Sequence, residues 1–362
     1  MSCPYLLFKD FSSCSSSAAT LGKTKQVSCH LGYDMLDRLH IEKRLEETDS
    51  LKEKIAYCKA SWGIYCYESV LASFHNRLPA VREPSVPRLF HDPKWDLDDV
   101  ANFDIFGEEF TSSSYSPAFA PGVFNAQCDL VIFEQEVNKY NKEIVGSKSG
   151  KYLRKRRALY NRLRRLRSSL PNHLQNDHNS TPGTNLLRLH YDEIAMFILR
   201  PVNPSQLCFK KSTAYDLHVE HSQSLVQIAE NHFHTHLRSD YTIMFMHGTF
   251  HVTLTLVPFL DEPICQNLFT RAAAAFHRGV QDIPGMQLVL SAVEAVVWAM
   301  KKEIPSAAKA SFKGQAPKDV NDVSMEWVFP QLEYVQSQAE VSQRIWKMPE
   351  VALVFYYKSG TL

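Results

Sequence analysis

Apolar residues recur along this chain at three- and four-residue steps, the period of an α-helix with one face in a core. From Lys54 onward, Ile55, Cys58, Trp62, Tyr65, Cys66, Val70, Leu71 and Phe74 form one wide apolar stripe. Gly63, beside Trp62, leaves room for a second helix to approach. Asn76-Arg77-Leu78-Pro79 ends the helix, because Pro79 disfavours helical geometry at Leu78. Pro84 and Pro87 then favour an extended chain. Upstream, a helix is predicted from Cys29 to about Glu47, with Leu31, Met35 and Leu39 on one face, and the Ser-rich residues 1–27 read as poorly ordered.

The same periodicity continues downstream. Phe124 to about Val145 reads as a helix with Val131, Phe133, Val137 and Tyr140 on its apolar side. From Lys151 to Pro171, Leu159, Leu163, Leu166 and Leu170 step by four, three and four. Lys151, Arg154, Lys155, Arg156, Arg157, Arg162, Arg164, Arg165 and Arg167 make this an amphipathic helix with a basic face. Residues 172–183 read as a polar loop. A strong helix follows from Thr184, with Leu186, Leu187, His190, Ile194, Phe197 and Ile198 as its stripe and Pro201 closing it. Further helices are predicted over 213–236, 239–257, 262–280 and 285–302, bounded by Pro258, Pro263, Pro284 and Pro305. Residues 96–121, acidic and then Ser/Pro-rich, and residues 304–322 read as flexible loops; Met325–Gln343 reads as a helix and Val351–Tyr357 as an apolar terminal segment. The expectation is an all-α fold, an irregular domain of about ten to twelve helices over residues 28–362.

Composition narrows the function classes. With 362 residues, 44% apolar and 22% charged, the chain is ordinarily globular. A net charge of +1 points neither to nucleic acid nor to a membrane surface. No apolar run is long enough for a membrane span, and the N-terminus lacks the pattern of a secretory signal. The eight cysteines are scattered with no C-x-x-C pair and read as reduced, in the cytosol or nucleus. No nucleophile elbow, Walker A loop or Gly-rich dinucleotide fingerprint occurs, so no catalytic or cofactor-binding residue is assigned and the chain is not expected to be an enzyme.

Two clusters still carry chemistry. His218, His221, His232, His234, His236, His247 and His251, with Glu220 and Glu230, form the richest metal-like group. His247 and His251, four residues apart, share one helix face, the spacing of a zinc helix. The Glu beside the first His that a zinc protease uses as base is absent, so the simpler reading is a histidine-rich surface with a few core histidines, and no metal ligand is assigned. The basic helix over 151–167 reads as a solvated charged face, with a nuclear-import patch or a phosphate-contacting surface as alternatives. Trp95, Phe103 and Phe106 among the acidic residues of 96–121 are similar in composition to activation segments, against a plain surface loop.

Two stretches resemble the middle homology region of fungal zinc-cluster transcription factors. The first is Trp62-Gly63, the helix Ile64–Phe74, Asn76-Arg77-Leu78-Pro79-Ala80-Val81 and the Pro-punctuated segment from Pro84 to Trp95. It departs from the family in carrying Asn76 for a Gly and Glu68-Ser69 for an Asp-Arg pair. The second is Leu189-His190-Tyr191, Ile194, Leu199, Arg200, Pro201 and Val202; Ser168-Ser169-Leu170-Pro171 matches a Leu-Pro helix ending between them. The resemblance implies a regulatory domain that controls transcription by RNA polymerase II in a fungal nucleus, by sensing a ligand or partner. It implies contact with DNA only through a zinc-cluster module or a partner, since the closely spaced thiolates of that module are not in this sequence, and zinc only there. It also implies a domain incomplete at its N-terminus, and allows a homo- or heterodimer and a small-molecule effector. The alternative is a helical small-molecule-binding or metabolic-cluster protein that does not act on DNA.

Overall fold

A computed structural model describes residues 41–74, 79, 81–91, 122–143, 150–175, 180–200, 202, 204–209, 211–235, 242–281 and 287–312. The described region is 80% helical and otherwise carries one two-stranded ribbon, so the fold is all-α. No described helix is long and apolar enough to cross a membrane. The predicted elements over 1–27, 96–121, 325–343 and 351–357 lie outside the described residues, as does the start of the predicted helix from Cys29. The described residues form two units, one within Gly22–Tyr152 and Ala158–Leu187, the other within Leu153–Arg157 and Arg188–Leu362.

The first unit holds α1 (Ile41–Glu47), α2 (Leu51–Phe74), α3 (Val123–Glu143), most of α4 (Gly150–Ser168) and α5 (Asn172–Gln175). Helix α2 begins earlier than its apolar stripe, because Ser50 caps it: the Glu53 amide donates to Ser50 Oγ at 3.4 Å, and the Glu53 carboxylate returns to the Thr48 hydroxyl. Trp62, Tyr65, Cys66 and Val70 are buried, as the stripe predicts. The Trp62 indole N–H donates to the Val86 carbonyl at 3.1 Å and so anchors the Pro-punctuated segment. Arg88 covers the same ring at 4.2 Å and bonds Asp129 at 2.6 Å on α3. Helices α2 and α3 also meet where Asn138 donates to Ser73 Oγ at 2.6 Å.

Helix α6 (Pro182–Leu199) begins two residues before its predicted start. Thr181 and Thr184 exchange amide-to-hydroxyl bonds of 2.9 and 3.2 Å, and Pro182 takes the first helical position, where its missing N–H costs nothing. The segment predicted as loop over 172–183 therefore contains α5 and this cap. In the second unit, α6 is followed by the ribbon β1 (Leu207–Phe209) and β2 (Ser212–Thr213), for which the sequence offers no alternating pattern. Then come α7 (Ala214–Thr235), α8 (Thr242–Leu256), α9 (Pro263–Val280), α10 (Gln287–Ala299) and α11 (Lys309–Phe312). Thr213 caps α7 by exchanging bonds with Asp216. Within the loop predicted over 304–322, residues through Phe312 are structured, with Phe312 stacked on Phe269 at 6.1 Å.

The core of this unit is built from Met196, Leu225, Phe245, Phe250, Phe269, Phe276 and Val293. Gly248 fixes how near α8 comes to α6. A Cβ there would lie 3.1 to 3.3 Å from three carbons of Leu189. A Gly248→Val substitution is expected to destabilise the protein by about 1–3 kcal/mol through overpacking, measured as a lower midpoint of urea unfolding.

Candidate functional site

Asp192 and Glu193 are consecutive on α6, and both are buried at 1% and 3% exposure. Successive positions on a helix point to different neighbours. Asp192 accepts from Ser224 Oγ at 2.6 Å and lies 2.8 Å from His221 Nδ1, both on α7. Glu193 turns to α8. One of its oxygens, Oε1, lies 2.6 Å from His247 Nδ1 and 2.6 Å from His251 Nδ1. The two imidazoles are 4.0 Å apart, edge to face. The helical spacing that puts both histidines on one face of α8 thus presents them together to one carboxylate.

Electrostatics separates the charge states. Burial alone would raise the Glu193 pKa, but the charge and hydrogen bonding of His247 and His251 overcome it and hold the carboxyl well below the usual range. Burial pushes His251 down to about 3, with the nearby charges of His247 and Arg200 adding to the fall. His251 Nδ1 and Glu193 Oε1 share a hydrogen bond of 2.6 Å. His218 is also pushed down to about 3, by burial first and then by Arg200 and His221; it bonds the Leu199 backbone.

The expected histidine-rich surface is not what the described residues form. His218, His221, His232, His247 and His251 are buried, His234 is exposed, and His236 lies outside the described residues. His232 stacks on Phe245 at 3.8 Å, a core role. Glu220 is exposed, and Glu230 pairs with Arg271 at 2.8 Å. Glu193, Asp192 and Ser224 went unassigned in the sequence, because their partners are distant along the chain. One signal was present: two adjacent acids inside an otherwise apolar helix, where burial demands partners. Glu193, His247 and His251 are the described residues that could hold a metal ion, with their ligand atoms all within 4.8 Å of one another.

The basic helix α4 is partly committed to structure. Arg156 is buried and donates to the Ile198 and Phe197 carbonyls at 3.0 and 3.4 Å, where a cation complements the C-terminal end of α6. Arg162 pairs with Glu136 and lies over the Phe133 ring at 5.2 Å. Arg154, Lys155, Arg164 and Arg165 remain exposed. His190, of the second resembling stretch, is buried, and Arg200 lies over the Phe197 ring at 5.2 Å. No protein-family model, curated protein or solved structure matches this chain.

The depressed pKa of His218 fixes a pH dependence. Its ordinary value is 6.5 and its folded value about 3, so the unfolded chain takes up a proton first as pH falls. The stability it contributes is fully present above 6.5 and is lost as pH drops toward 3. His218→Gln should therefore flatten the fall of stability with acidification over that window by up to about 1.4 kcal/mol per pH unit, read from urea unfolding at a series of pH values.

Proposed function

We propose that this chain is a regulatory domain of the fungal zinc-cluster transcription-factor type, acting in the nucleus on transcription by RNA polymerase II. The observation that supports the reading is that Trp62-Gly63 of the first resembling stretch and Leu189–Leu199 of the second lie in helices with buried faces. Trp62-Gly63 lies within α2, and Trp62 bonds the Pro-punctuated segment that follows it. Leu189, His190, Tyr191, Ile194 and Leu199 are buried in α6, and Arg200 follows at its end.

DNA is reached through a zinc-cluster module or a partner subunit carrying one. Arg156 of α4 is buried against the end of α6 and Arg162 pairs with Glu136, so both bond protein groups. The regulatory act is a small-molecule effector or a protein partner shifting a conformational equilibrium, which requires different affinities for two states of this chain.

The test is to fuse the full chain to a heterologous DNA-binding domain and measure a reporter in fungal nuclei. A several-fold rise or fall relative to the DNA-binding domain alone is expected. An unchanged reporter, with the fusion shown to occupy the promoter, would overturn the reading.

A further inference from the structure

We propose that Glu193, His247 and His251 bind one divalent transition-metal ion of the zinc class, clamping α6 to α8. The inference is independent of the transcriptional reading. It rests first on convergence. Three potential ligand atoms from two helices lie within 4.8 Å of one another, in a site that is 0–5% exposed. Two come from one face of α8, and the third from a carboxylate that α6 directs at them.

The donor set selects the ion. Two imidazole nitrogens and one carboxylate oxygen suit zinc, cobalt or ferrous iron, whereas magnesium and calcium prefer oxygen alone and cuprous copper prefers sulfur. Three protein ligands leave a fourth tetrahedral position for water or an anion.

The spacing of the donors is close to what such an ion needs. Both Nδ1 atoms now sit 2.6 Å from Glu193 Oε1. Metal bonds of about 2.0–2.1 Å in tetrahedral geometry put neighbouring donors about 3.3 Å apart. The donors must therefore part by about 0.7 Å to admit the ion, a displacement that small side-chain rotations supply. Aromatic rings flank the site. The Phe197 ring meets His251 edge-on at 4.7 Å, and the Phe250 ring lies 5.9 Å from it. Gly248, between the two histidines, gives α8 its close approach to Leu189.

The experiment uses the full chain without a histidine tag, stripped with a chelator, desalted and titrated with zinc. One zinc per chain by mass spectrometry, a rise in Tm on adding zinc, and the visible absorption of four-coordinate cobalt on substitution are expected. Glu193→Gln should weaken zinc binding about tenfold or more. The double variant His247→Gln/His251→Gln should abolish it, while His234→Gln, at an exposed histidine, should bind as the parent does. A parent chain that is folded by circular dichroism yet takes up no zinc would overturn the proposal. So would zinc uptake that persists unchanged in a folded double variant.

Discussion

Asp192 and Glu193 leave α6 about 100° apart, so one helix reaches two others through two carboxyl groups. Asp192 meets His221 and Ser224 on α7; Glu193 meets His247 and His251 on α8. Each carboxylate lies in an apolar core, where an unpartnered charge would cost several kcal/mol. The constraint is therefore on register. Rotating α6 by one residue would withdraw both carboxylates from their histidines at once. Apolar packing in this unit is more permissive, since many hydrophobic arrangements fill a core almost equally well.

Other features of the second unit follow from that register. Gly248 opens the space into which Leu189 fits, so α8 can stand close enough for both imidazoles to reach Glu193. Arg156 caps the far end of α6 by occupying two of its last carbonyls. His218 bonds the backbone there and is kept neutral by burial. In the first unit, Trp62 has the comparable role: its ring buries apolar area, its N–H fixes Val86, and its face seats Arg88.

Much of the fold was legible from periodicity. The stripes of α2, α3 and α6 lie largely inside, and the boundaries of α7 to α9 fall within a few residues of the turn residues and prolines that punctuate the sequence. Helix starts were less legible, because caps are short polar patterns rather than apolar ones: Ser50-x-x-Glu53, Thr181-x-x-Thr184 and Thr213-x-x-Asp216 each extend or fix a start that the stripe alone misplaces or leaves open. The candidate site was half legible. His247 and His251 declare a shared face through local spacing, whereas the pairing with Glu193 is a tertiary contact that one sequence does not encode locally. More of the histidines are buried than the few core positions the sequence suggested, because histidine is ambivalent about burial and only the partners decide.

The most direct test of this account is native-state hydrogen exchange on the Glu193→Gln variant. If Glu193 ties α6 to α8, amides in both helices should lose protection together, by at least about tenfold, as one cooperative unit. Protection lost only in the turn around residue 193, or retained in α8 at the parent level, would contradict it.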